Sequence, residues 1–197
     1  MPLLRETELP VPLPRETVLP LLRAAEPVPE VPRVAAEPLR FGVRTISVPA
    51  QRPAADDLPK AREYVRLHRE GRDAEIPFTG MALTTVVAEA ERMLLLENGP
   101  DSFSLPLSVL ALGDAVAFAG IPGEPFSEIG RAVRDRSPFR MTVCTCLTNG
   151  SCGYFPVASA YAEGGYEARS SIFASTVAAH IVSGFGQSVS FARPSQN

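Results

Sequence analysis

Proline crowding at the amino end sets the first limit on what this chain can fold into. The first 38 residues hold nine of the 20 prolines and contain no Gly, Cys, Tyr or Phe. Each proline removes a backbone donor and biases the residue before it away from the helical region, so long helices and central strands are disfavoured there. The segment also repeats itself. Leu3-Leu-Arg-Glu-Thr-Glu-Leu-Pro10 returns as Leu13-Pro-Arg-Glu-Thr-Val-Leu-Pro20, matching at six of eight positions. The expectation over residues 1–37 is an extended, semi-rigid or disordered segment. The alternative is a short helix over Val18–Ala25, docked on the core through Leu19, Leu21 and Leu22.

A folded domain must then be built from residue 38 onward. Of the 197 residues, 45% are apolar and 21% charged, ordinary values for one globular domain with a substantial core. The net charge is −3, and the 18 Arg and the single Lys60 are interspersed with acids. No basic face emerges, which argues against a nucleic-acid partner. No apolar run reaches the roughly 18 residues of a membrane-spanning helix. Charge and proline break Met1-Pro-Leu-Leu-Arg-Glu-Thr7 before any signal-like stretch forms, leaving a cytoplasmic location by default. Three cysteines, an odd number, argue against a disulfide framework.

Periodicity predicts a mixture of strands and helices. Leu39–Val48 alternates as a strand. Asp57 is placed to cap a helix running to about Glu70, with Gly71 as its stop. A second helix covers about Ala82–Glu97 and ends at Asn98-Gly99-Pro100. Leu107–Leu112 and Ala115–Ile121 read as strands of a tight hairpin closed by Gly113-Asp114. Pro125–Arg136 reads as a helix with Phe126, Ile129 and Val133 on one face. Met141–Leu147, apolar or small on both sides of the pleat, reads as a central strand covered on both faces. An irregular stretch over Tyr154–Glu167 precedes a last helix from about Ser170 to Ser183, and from Gly184 the chain reads as a loose tail. The fold class is α/β or α+β, a single domain with a mixed β-sheet covered by helices.

Several residues carry potential chemistry. Glu124 follows a strand in a Pro-Gly turn that opens a helix, a place where backbone can approach a ligand closely. An acid in a first helical turn also suits the helix dipole with no ligand at all. Tyr154, in Gly153-Tyr154-Phe155-Pro156, reads by composition as a core or interface tyrosine. Tyr166 follows Gly164-Gly165, whose freedom can re-aim a side chain, or it packs as a staple on Ile172 or Phe173. Cys144 and Cys146 share a strand face with Cα atoms roughly 6.6 Å apart, near the outer limit for a disulfide. They are read as reduced, small buried hydrophobes, the alternative being three thiolates with Cys152 around zinc. His68 sits among charges and His180 in an apolar stripe, and neither has zinc-site spacing. Ser170-Ser171 lies in no nucleophile elbow.

Three segments, in order, carry a resemblance: Ile121-Pro-Gly-Glu124-Pro-Phe-Ser-Glu-Ile-Gly130, Thr148-Asn-Gly-Ser-Cys-Gly-Tyr154-Phe-Pro156 and Gly164-Gly-Tyr166-Glu167. Together they resemble the second half of the catalytic domain of the neutral ceramidase family, zinc-dependent amidohydrolases. The likeness covers about Pro38 to Phe185 and is most specific from Ile121 to Glu167. It implies Glu124 and Tyr154 as zinc ligands and Tyr166 as a residue facing charge on the carbonyl oxygen under attack. It implies a ceramide-like lipid substrate, cleaved to sphingosine and a fatty acid by a water that zinc activates. Cys144, Cys146 and Ser151 depart from the pattern, which leads one to expect small or aliphatic residues at the first two and an aromatic near the third.

The histidine ligands of that family lie in a first half that this sequence does not show. The resemblance therefore implies a partner, the N-terminal half of the same enzyme supplied by another chain, and an isolated chain without activity. The expected division is a proline-rich segment over 1–37, a ceramidase-like half-domain over 38–185 and a loose tail over 186–197. Two further readings stay open: a non-catalytic partner-binding module that kept the fold, and a small zinc or redox module built on the cysteines.

Overall fold

The strand β1 (Leu39–Pro49) alternates between exposed and covered side chains along its length, as its sequence pattern predicts. The computed structural model describes residues 39–188, all within one compact unit, Ala36–Asn197. The expectations for residues 1–37, and for the tail beyond residue 188, lie outside the described residues.

Two helices follow, α1 (Leu58–Arg69) and α2 (Gly80–Glu97). Asp57 is the N-cap residue of α1, but its side chain makes no capping hydrogen bond. The helices pack on each other around Ala61, Tyr64, Val65, Leu67, Ile76, Val87 and Ala90, a small core of their own.

The main sheet is completed by β2 (Ser102–Leu112), β3 (Val116–Gly120) and, after a helix, β5 (Met141–Thr145). Strand order is β1-β2-β3-β5; the first three run antiparallel and β5 pairs parallel with β3. The β2–β3 turn holds three residues, Gly113–Ala115, one more than the predicted two-residue hairpin, because Leu112 pairs with Val116. Between β3 and β5 come β4 (Glu124–Pro125) and α3 (Ser127–Asp135). After β5 come β6 (Tyr154–Phe155), α4 (Ala158–Glu163), α5 (Tyr166–Ser170) and α6 (Val177–Ser188). β4 and β6 form a separate two-stranded parallel sheet. This is an α/β fold with a mixed sheet, in agreement with the sequence pattern.

Helices α3 and α6 cover one face of the sheet. Ile129 and Val133 of α3, and Val177, Ile181 and Phe185 of α6, bury against Leu105, Leu107, Val109 and Ala111 of β2 and Ala117 and Ala119 of β3. Among the described residues, no helix of the core covers the apolar rows on the other face. Register sets Phe41, Leu110, Phe118 and Val143 in one row across the four strands, and Leu39, Leu112, Val116 and Met141 in the next. Leu39 is 64% exposed, Phe41 66%, Met141 46% and Val143 36%.

Three expectations are corrected here. Met141–Thr145 is an edge strand, not a central one covered on both faces. Its second apolar side belongs to the open face, so apolarity on both sides did not signal two covers. The last helix begins at Val177 rather than Ser170, because Phe173 forms a bridge to Ala50 and the Ala174 amide donates to the Pro49 carbonyl. It also continues to Ser188, so Gly184 does not start a loose tail. A Cβ on Gly184 would stand 2.7 Å from the Leu107 side chain and 3.0 Å from that of Ile46, so any larger residue must push these core side chains aside.

Candidate functional site

The segment Ile121-Pro122-Gly123 leaves the C-terminal end of β3 and is held by three successive carbonyls. Ile121 accepts from the Thr148 amide at 2.9 Å, Pro122 from Cys152 at 2.8 Å and Gly123 from Leu147 at 2.9 Å. The donors sit on the connection between β5 and β6, where Leu147 and Asn149 take positive φ values of 50° and 59°. Asparagine tolerates that region; leucine there costs roughly 1–2 kcal/mol, which the tied turn offsets.

The same lacing brings β4 against β6. The Glu124 amide donates to the Gly153 carbonyl at 2.9 Å and the Phe126 amide to Phe155 at 3.1 Å. A Cβ on Gly123 would lie 2.5 Å from both the Gly153 oxygen and the Phe155 ring, so no other residue fits without moving β6. Gly153 itself has φ +80°. These glycines make Glu124 and Tyr154 register partners in a parallel pair. Partners in a parallel ladder project from the same face, on backbones about 4.8 Å apart.

Glu124 is exposed and Tyr154 half-buried. The reading of Glu124 as an acid of the first helical turn is corrected: it lies on β4, ahead of the N-cap residue Phe126, and Glu128 is the acid in the first turn of α3. The Glu124 carboxylate, above all, pushes the Tyr154 phenol above the usual tyrosine range; desolvation, Tyr166 and Glu167 push the same way. Tyr166 opens α5. Its ring meets that of Tyr154 edge-on, with centroids 5.9 Å apart. The structure thus brings Glu124, Tyr154 and Tyr166 together at one place. Tyr166, 56% exposed, also borders a groove of about 380 Å³ with Met81, Thr84, Arg92 and Arg169.

Behind the site stands a support that the sequence did not reveal. Buried Ser171 donates its hydroxyl to the Tyr154 carbonyl at 3.0 Å and accepts the Phe173 amide at 3.2 Å. The Tyr161 hydroxyl donates to the Phe173 carbonyl at 2.8 Å and lies 3.1 Å from Ser171 Oγ. Burial pushes the Tyr161 phenol up. Only the distance of Ser171 from any nucleophile elbow was legible; its structural task rests on contacts remote in sequence. Glu89 and Arg169 form an ion pair that ties α2 to α5 beneath Tyr166.

The cysteines are free, as expected, but they are not the buried strand pair the sequence suggested: Cys146 is exposed, and Cys144 and Cys152 are half-buried. Among the described residues, no three His, Cys, Asp or Glu side chains converge on a metal position. Both the three-thiolate module and a self-sufficient zinc centre therefore lack support. Zinc sites take at least three protein ligands, and Glu124 with Tyr154 supplies two oxygens. That donor set does not fit a held zinc ion on its own. No helix among the described residues is long and apolar enough to cross a membrane.

No family model and no curated protein matches the chain. Solved structures similar to it include two ceramidases. A ceramidase complexed with C2 is 23% identical at a TM-score of 0.41, over 47% of this chain and 15% of that one. The neutral ceramidase from Pseudomonas aeruginosa is 17% identical at a TM-score of 0.49, over 81% of this chain and 30% of that one. The chain spans less than a third of the length of either.

Proposed function

We propose that this chain carries one half of a ceramidase-like amidohydrolase site, with Glu124 and Tyr154 as paired oxygen ligands and Tyr166 as the phenol beside them. The observation that carries the reading is the β4–β6 register, which sets a carboxylate and a phenol side by side. Two side chains drawn from segments about 30 residues apart meet at the turn beyond a parallel strand pair, where α/β sheets place ligands. The quoted motifs support the same assignment from the sequence. With two oxygens in place, the remaining ligands come from outside these 197 residues, and these residues by themselves are silent as a catalyst. The substrate class is an N-acyl lipid of the ceramide type.

The test is hydrolysis of a fluorescent ceramide by the purified chain, alone and after co-expression with a polypeptide bearing the histidine pair, with and without zinc. The expected result is zinc-dependent turnover only in the co-expressed pair, lost in Glu124→Gln and reduced in Tyr154→Phe. Turnover by the chain alone would mean that its own residues complete the site. Turnover by the pair that ignores both substitutions would remove these residues from the site.

A further inference from the structure

The open face of the main sheet carries eight apolar side chains in two complete rows, Phe41–Leu110–Phe118–Val143 and Leu39–Leu112–Val116–Met141, with Val43 beside them at 54% exposure. None of these residues is charged. Toward the far end of β1 and β2 the same face turns polar, at Thr45, Ser47, Ser102 and Ser104, where the Ser47 and Ser102 hydroxyls bond at 2.9 Å. The apolar rows therefore end in a hydrophilic rim, the usual layout of an interaction surface.

Size separates the occupants. The nine side chains leave open on the order of 600 Å² of apolar area, at or above the largest patch usual on a soluble monomer. Four strands at about 4.8 Å spacing are wider than one helix of about 10 Å diameter, so a single docked helix would leave part of the rows wet. A second sheet of equal width and twist covers them fully, packing at about 10 Å in the aligned mode. Two such patches buried together remove on the order of 1,200 Å², the lower bound for a specific interface. An identical sheet supplies the matching width, twist and uncharged surface at once, and a two-fold axis makes the patch self-complementary.

We propose that this face is a homodimer interface, in which the open sheets of two copies pack face to face. The inference is independent of the metal-site reading, since Glu124 and Tyr154 lie on the other, two-stranded sheet. Its test is sedimentation equilibrium of the full chain across the micromolar range, with methyl chemical shifts followed over the same dilution. The expected result is a species of twice the 21.1 kDa chain mass, with dilution-dependent shifts at Val43, Leu110 and Val143. Phe41→Asp should raise the dissociation constant by more than about tenfold, since it replaces a 66% exposed aromatic of the patch with a charge that the partner sheet must bury. Met141→Gln, a milder change at a site already 46% exposed, should raise it measurably even if the aspartate variant misfolds. Met81→Asp, 80% exposed and outside the face, should leave it unchanged. A monomer throughout the range overturns the proposal. So does a dimer that tolerates the face substitutions, or one whose shifts map elsewhere.

Discussion

Glu124 and Tyr154 face the same side of a two-stranded parallel sheet whose spacing is set by two glycines, Gly123 and Gly153. Neither side chain makes the pairing. The backbone does, through the Glu124 amide on the Gly153 carbonyl and the three carbonyls of Ile121–Gly123 pinned by the connection between β5 and β6. A carboxylate and a phenol are thus held near each other by backbone bonds rather than by a bond between their side chains.

That proximity is measurable by titration. The negative charge of Glu124 opposes ionisation of Tyr154, so the phenol should titrate above the usual value of about 10. Glu124→Gln removes the largest cause and should bring the phenol back toward the ordinary range, read by ultraviolet absorbance or by ring NMR shifts. Because the folded state holds this proton longer than the unfolded chain does, the contribution to stability is full below about pH 10 and fades as pH rises through the folded value. A Tyr154 titration indifferent to Glu124→Gln would separate the two side chains.

The glycine at 123 gives a second prediction. A methyl group there collides with a backbone oxygen and with the rim of a fully buried ring, neither of which can give way cheaply. Gly123→Ala should cost about 1–3 kcal/mol in urea unfolding, the range for overpacking. It should also lower the Tyr154 pKa by moving β4 off β6. Gly153→Ala meets no atom within 4 Å, and its cost comes from φ +80° alone, roughly 1–2 kcal/mol.

The elements that announced themselves in the sequence were those governed by local rules. The alternation in β1, the N-cap position at Asp57, the stop after Glu97 and the apolar face of α3 need only neighbours within a few residues. Placement of Met141–Thr145 needed knowledge of what covers each face, and an open apolar face looks the same in sequence as a buried one. The late start of α6 depended on Phe173 bonding back to Ala50, more than 100 residues earlier. In the candidate site, the motif order brought out Glu124, Tyr154 and Tyr166. The support from Ser171 and Tyr161 was hidden, since a serine and a tyrosine ten residues apart carry no pattern of their own.

The three thiols should react in an order set by exposure. Cys146 is open to solvent, whereas Cys144 is half-buried, donates weakly to the Gly130 carbonyl at 3.5 Å and has its thiol pushed up by burial. Since the thiolate is the reactive form, a disulfide reagent at neutral pH should modify Cys146 first and Cys144 well behind it. Peptide mapping after brief labelling checks the order. Equal rates would show that the edge strand opens faster than the reagent attacks.

Ser171 offers the most direct probe of how the site is held. Its hydroxyl is buried, 1% of the residue being exposed, and it satisfies two backbone groups at once: the Tyr154 carbonyl and the Phe173 amide. Ser171→Ala strands both away from water, and unsatisfied buried groups cost about 1–3 kcal/mol. Tyr161→Phe removes a donor from the Phe173 carbonyl and should cost about 1 kcal/mol, one ordinary hydrogen bond. The two side chains touch the same segment, so the double variant should lose less than the sum of the single losses, by more than about 0.5 kcal/mol. Thermal unfolding of the four proteins in the cycle gives that coupling. A merely local defect would stop there. If the network positions the site, Ser171→Ala should also move the Tyr154 ring, seen as a change in its contact with Tyr166 and as a drop in the phenol pKa away from Glu124. Loss of stability with the Tyr154 titration unchanged would confine Ser171 to the core and free the site from it.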